Sequence, residues 1–274
     1  MTQGPLLFDR DALTRHRIRA AAIGGDPFLH RAALDEVQDR LSMVKRSFTA
    51  PAIVTGLPEF WRGAFPGAAI VGDDDTLALE PGSHDLVIHA MALHWANDPV
   101  GQIIQCRRAL VPDGLFLCVS PGGRTLAELR HALTLAESDI TGGLSPRVAP
   151  MAELREAGAL LQRAGLALPV ADAVSLTAEY RDLPHLMHDL RAMGETGAMA
   201  GRPRHPTRRA LFARAESVYR AGFATEANRL PATFELICLT GWAPDASQPQ
   251  PLRPGSAQAR LADALNSTET RLPD

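Results

Sequence analysis

Cysteine is scarce in this chain. Cys106, Cys118 and Cys238 are the three in 274 residues, and they stand isolated. That excludes a disulfide framework and a CxxC metal pair, and a reducing, cytoplasmic setting is the expectation that follows. Long apolar runs are also lacking. Stretches such as Leu115 to Val119 are far too short to cross a bilayer, so no transmembrane segment is expected. Charge of one sign is not in surplus: 28 basic and 31 acidic residues leave a net charge of −3. Nothing in that balance points to nucleic acid or an anionic membrane as a bulk partner. The opening MTQGPLLFDRDALTRHRIRA has no apolar stretch ahead of its charges, so no secretory signal is expected, and Asp9 and Asp11 speak against a transit peptide. No Ser–His–Asp elbow, phosphate-binding loop, zinc spacing or internal repeat is found.

What is present is ordinary globular composition, 46% hydrophobic and 22% charged. Asp11 to Ala22 and Pro27 to Val44 read as helices broken by Gly24-Gly25. In the second, Leu29, Ala33, Val37 and Leu41 form one apolar stripe. Ala52 to Thr55, Ala68 to Val71 and Asp85 to His89 read as short buried strands. Asp98-Pro99 opens a helix, with Asp as cap and Pro where its missing N–H costs nothing. Pro112-Asp113-Gly114 reads as a turn with positive φ at the glycine, and Leu115 to Val119 as a central strand covered on both faces.

Thr125 with Glu128 predicts a capping box for a helix through about Glu137. A further helix is predicted over Pro150 to Ala164, ended by Gly165. Val170 to Tyr180 and Ala232 to Trp242 read as strands, with helices over Leu183 to Met193 and Arg208 to Arg220 between them. Strands alternating with helices predict an α/β, doubly wound, mostly parallel sheet. The expected organisation is N-terminal helices over 1–48, a main domain over 49–244 with a helical insertion at about 181–230, and an irregular tail over 245–274.

The run DLVIHAMALHWANDP followed by RRALVPDGLF resembles the fourth strand, its helix and the fifth strand of a class I S-adenosylmethionine-dependent methyltransferase. FDRDALTRHRIRAA, GGRTLAELRHAL, LLQRAGLALPVAD, DLRAMGET, ATFELICLTGWAP and PLRPGSA narrow the resemblance. It falls in the branch containing the biotin-synthesis methyltransferase and the mitochondrial complex I assembly factor 5. The resemblance implies a Rossmann-like methyltransferase fold and S-adenosylmethionine as cofactor. It also implies two functional readings. One is methyl transfer. The other is a non-methylating assembly or chaperone factor for respiratory complex I, or a protein-modifying relative linked to arginine hydroxylation, with a respiratory-complex protein as partner.

Such a fold asks for a glycine turn that lets the backbone approach the methionine moiety. It also asks for an acid that binds the ribose hydroxyls, and for polar groups that meet the adenine. This chain departs from that pattern. The glycine-rich run is replaced by AIVTGLPEFWRGAF, where Pro58, Phe60 and Trp61 fill the turn. From Ile53 to Asp85 the chain advances 32 residues, where an intact fold needs roughly 50. About one β–α unit is therefore missing. Ala68 to Val71 matches the third strand, placing Asp73 on the adenine side; the alternative makes it the second strand and Asp73 the ribose acid.

The cofactor-side residues to which the resemblance points are Thr55, Gly56, Asp73, His89 and Leu93, with His89 also readable as a core histidine. His94, Trp95 and Arg124 follow strand ends, where such sheets place ligands, and are the expected substrate or partner residues. No catalytic residue is assigned. Asp73-Asp74-Asp75 reads as a solvated turn rather than a metal site, because three adjacent side chains cannot converge on one ion. His185 with Asp189 reads as a polar helix face, and Arg202 to Arg209 as a solvated linker.

Overall fold

A computed structural model describes residues 6–249. Of these, residues 6–244 belong to one compact unit and residues 245–249 to a second. In the second, Asp245 Oδ1 accepts hydrogen bonds from the Ser247 amide and hydroxyl. PLRPGSA and most of the tail lie outside the described residues.

The chain opens with α1 (Arg10–Ile23) and α2 (Phe28–Met43). Asp9 caps α1 by accepting from the Ala12 amide, and Gly24 ends it at φ 68°, a left-handed position that glycine takes without steric cost. Then follow β1 (Pro51–Thr55), α3 (Pro58–Ala64), β2 (Ala69–Val71), β3 (His84–Ala90), a single 3-10 turn at Leu93–Trp95, and α4 (Pro99–Ala109). The second half holds β4 (Leu110–Pro121), α5 (Ala127–Thr141), α6 (Leu154–Arg163), β5 (Ala167–Tyr180), α7 (Leu183–Ala192), α8 (Arg209–Phe223) and β6 (Leu230–Trp242).

The six strands form one sheet in the order β2-β1-β3-β4-β6-β5. β1, β2, β3 and β4 run parallel, and β6 lies antiparallel between β4 and β5. Alternation along the central strands splits the core into two layers. Ile53, Ile88 and Leu117 face the cluster built with α2, α5, α7 and α8. Val54, Val87 and Phe116 face the cluster built with α4 and α6. Both faces of the sheet are thus covered, as the α/β doubly wound reading requires.

The first strands are shortened. The seven-residue α3 is the one helix between β1 and β3, and β2 is three residues long. β2 pairs directly with β1. In the order 3-2-1-4-5-6 of such sheets that is the place of a second strand, so the position matches the alternative alignment rather than the third-strand one. The two helices α7 and α8 fall between β5 and β6 as expected.

Several local expectations need correction. α5 does not begin with a capping box. Its cap is Leu126 in a left-handed conformation, without a side-chain hydrogen bond. Thr125 and Glu128 instead bind β6: Thr125 Oγ1 accepts from the Glu235 amide, and Glu128 accepts from the Thr233 amide. α6 starts at Leu154, where Glu153 and Glu156 form the capping box. In the 112–114 turn Asp113, not the glycine, takes positive φ (58°). Gly114 is needed for closeness, since a Cβ there would meet the Val111 carbonyl at 2.9 Å.

Cys106, Cys118 and Cys238 are free and buried. Among the described residues no helix is long and apolar enough to cross a membrane.

Candidate functional site

The carboxyl ends of β1 and β2 bring Thr55, Gly56 and Asp73 together, and a third element closes over them. Arg10 and Arg17 of α1 are seven residues apart, two helical turns on one face, and both reach Asp73. Arg17 grips the carboxylate with two parallel bonds, Nη1 to Oδ1 at 2.6 Å and Nη2 to Oδ2 at 2.9 Å. Arg10 adds Nη1 to Oδ2 and Nη2 to Oδ1, each at 3.2 Å, and Nη2 to the Asp73 carbonyl at 2.7 Å. Asp73 is 3% exposed, which corrects the expectation of a solvated turn; Asp74 and Asp75 alone stay exposed. Burial alone would push the Asp73 carboxyl up. Arg17 first, then Arg10, outweigh it and hold the group well below the usual carboxylate range. The Arg17 guanidinium also lies directly over Gly56, where a Cβ on that residue would fall inside it. The Thr55 hydroxyl accepts from the Leu57 amide at 3.2 Å.

His89 sits behind this cluster. It is fully buried, with Nε2 2.8 Å from Gln102 Oε1. Gln102 Nε2 in turn donates to the Asp73 and Asp74 carbonyls at 3.1 Å. His89 thus supports the Asp73 loop from inside the core rather than lining an opening. Leu93 is buried in the α4–α6 layer. Trp61 is wholly buried and stacks on Phe65, filling the turn after β1 as its sequence suggests.

Beyond the end of β3, His94 and Trp95 meet a residue that sequence reasoning missed. His94 Nε2 and Trp95 Nε1 both lie 3.0 Å from Glu195 Oε2. No hydrogen bond from a described residue reaches Glu195 Oε1. His94 Nδ1 is 3.4 Å from the Ser120 hydroxyl at the end of β4. Burial pushes the Glu195 carboxyl up, but His94, with His30 and Arg17 farther off, outweighs it and leaves the group below its ordinary value. Glu195 and Trp95 line a cleft of about 270 Å³ whose remaining wall is largely apolar, with Leu129 and Leu133 of α5, Met187 and Leu190 of α7, and Phe234 of β6. Arg191 lines it as well.

Arg124 is exposed and does not line this cleft, although its neighbour Thr125 does; its amide donates to Glu235 at 3.3 Å. Asp189 accepts from the Tyr180 hydroxyl and His185 packs on the same ring. No metal-holding group of three or more His, Cys, Asp or Glu exists among the described residues. Arg202, expected in a solvated linker, pairs with the α1 cap Asp9 at 2.9 Å.

The missed residues left uneven traces. Arg10 and Arg17 show their shared face in FDRDALTRHRIRAA. Glu195 follows Gly194 in DLRAMGET, and nothing local distinguishes it from a surface acid.

A methyltransferase domain family matches residues 40–118. The arginine-hydroxylase NDUFAF5, mitochondrial, of Danio rerio is 32% identical over 221 residues, covering 81% of this chain and 68% of its own length. The chain spans 44% to 68% of the length of the relatives of that name which it matches. The malonyl-[acyl-carrier protein] O-methyltransferase of Xylella fastidiosa (strain M23) is 35% identical over 179 residues, covering 65% of this chain and 58% of that protein. Among solved structures, phosphoethanolamine N-methyltransferase 2 of Haemonchus contortus in complex with S-adenosyl-L-methionine is similar at 11% identity and TM-score 0.40, covering 77% of this chain and 53% of that one. With the sheet order and these relatives together, the chain belongs to the S-adenosylmethionine-dependent methyltransferase family, in the branch that holds the NDUFAF5 arginine hydroxylases and the malonyl-[acyl-carrier protein] O-methyltransferases.

Proposed function

We propose that this chain acts on a protein, receiving an arginine side chain of its client in the cleft beside Trp95, rather than serving as an ordinary methyltransferase. The observation that carries this reading is Glu195. Its Oε2 is committed to His94 and Trp95, its Oε1 accepts nothing from the described residues, and it faces a largely apolar cleft of about 270 Å³. A fixed carboxylate with one open oxygen in such a wall suits a guanidinium, which donates in a planar fork. The apolar wall suits the methylene stem of the same side chain. Arg191 makes no ion pair among the described residues and is suited to a carbonyl or an acid beside the client's arginine.

The name of the zebrafish relative, an arginine hydroxylase, agrees with that choice of side chain. The client we propose is an arginine-bearing subunit of a respiratory complex, met as part of its assembly. The reducing compartment expected from the sequence suits the three free thiols.

The test is calorimetric titration of N-acetyl-arginine amide into the full chain and into Glu195→Gln. Binding that weakens about tenfold or more in the variant is expected, since a charge-assisted pair contributes about 1.5–3 kcal/mol. Equal affinity in both proteins, or no binding to the wild type, would sink the reading.

A further inference from the structure

The place where this family holds its nucleoside is occupied in this chain by an arginine of its own. We propose that the Gly56–Asp73 corner at the ends of β1 and β2 is a guanidinium site whose resident ligand is Arg17, backed by Arg10, and that S-adenosylmethionine is excluded by it.

A ribose-binding acid must offer lone pairs to two hydroxyls. A carboxylate has about four such positions. At Asp73 three are taken by hydrogen bonds, Oδ1 by Arg17 Nη1 and Oδ2 by Arg17 Nη2 and Arg10 Nη1, and Arg10 Nη2 stands over Oδ1 as an ion-pair partner at 3.2 Å. The glycine after the first strand has been kept, yet what approaches its backbone is the Arg17 guanidinium. Any side chain at Gly56 would collide with that guanidinium. In the helix that follows, Trp61 is wholly buried and stacks on Phe65. The residues present therefore do not fit S-adenosylmethionine.

α1 is also not a loose cover. Asp9 of its cap pairs with Arg202, Phe8 bridges to Met199, and the Phe8 amide donates to Asn97 at 2.9 Å. Arg10 Nη1 reaches the Trp95 carbonyl at 3.4 Å. Withdrawing Arg17 would leave Asp73 buried with half its partners, and breaking a buried pair from one side is costly. None of this depends on the role proposed for Glu195, and its test leaves that residue untouched.

The full-length chain is titrated with S-adenosylmethionine and S-adenosylhomocysteine while its melting temperature is followed. No shift is expected at millimolar ligand. A rise of several degrees, which requires α1 to yield, overturns the proposal. Arg17→Ala supplies the positive arm. It should melt several degrees lower, and millimolar ethylguanidinium should restore part of the loss, while tetramethylammonium at equal concentration should not. Absence of that rescue, or an equal effect on the wild type, overturns the proposal. If the alanine variant does not fold, Arg17→Lys, which keeps the charge but loses the fork, must still melt below the wild type, and equal stability of the two overturns the proposal.

Discussion

Trp61 donates its indole N–H to Nδ1 of His30 at 3.0 Å, with both rings sealed from solvent. An acceptor at Nδ1 leaves the neutral ring's proton on Nε2. The bond ties α3, the shortened crossover after β1, to α2. Trp61→Phe keeps most of the ring volume but orphans a buried nitrogen. It should lower stability by about 1–3 kcal/mol, measured by urea unfolding; a change within error would show that the bond contributes nothing.

Acid should unfold the protein in two stages. Burial drives the imidazoles of His30 and His89 down to about 4, with Glu195 and Gln102 respectively opposing it. A histidine lowered on folding binds fewer protons in the native than in the unfolded chain. Its contribution is therefore complete above about pH 6.5 and drains away as pH falls toward 4, amounting to roughly 3 kcal/mol per ring. Asp73, depressed by its arginines, holds its contribution above the unfolded carboxylate value near 4 and loses it only at lower pH. Melting temperature followed from pH 7.5 to 3 checks this. His89→Leu should melt lower at neutral pH yet fall less steeply between about 6.5 and 4; an unchanged slope would exclude His89 as a contributor.

Two glycines seven residues apart in the chain should respond in opposite ways. A Cβ at Gly56 falls inside the Arg17 guanidinium, while one at Gly63 meets nothing within 4 Å. Gly56→Ala forces Arg17 off a buried partner and should cost on the order of 3 kcal/mol. Gly63→Ala, on the exposed side of α3, should gain up to about 1 kcal/mol from helix propensity. Thermal unfolding of the two variants side by side decides it.

Thr125 clasps β6 at both backbone groups of one residue, accepting from the Glu235 amide at 3.0 Å and donating to its carbonyl at 3.1 Å. Thr125→Val should cost about 1–2 kcal/mol and speed amide exchange at Glu235. A capping role would leave that amide unmoved and speed exchange in the first turn of α5 instead.

The layers of the fold were legible because its signals are local. β-branched runs marked β1 and β3, and Asp98-Pro99 marked α4. The bounds of β4 were not legible. Asp113 takes a left-handed conformation, and Leu110 pairs with His84 ahead of an irregularity in the register, neither of which leaves a pattern in the sequence. In the site, His94 and Trp95 could be singled out because they follow the end of a central strand. Glu195 could not, since the contact that defines it spans about one hundred residues. The burial of Asp73 within its acidic turn was not legible for the same reason. An acid among acids looks solvated until two arginines from another element arrive.

The three sealed thiols give this protein an internal clock. Burial pushes the Cys238 thiol up to about 12 and holds Cys106 and Cys118 well above their ordinary value, so none reacts with an alkylating reagent while its surroundings stay shut. They mark α4, the central β4 and the antiparallel β6. The order in which they react is the order in which those elements let go. Simultaneous labelling would report a single cooperative opening, and early labelling of Cys238 would report that the β5–β6 edge peels away first.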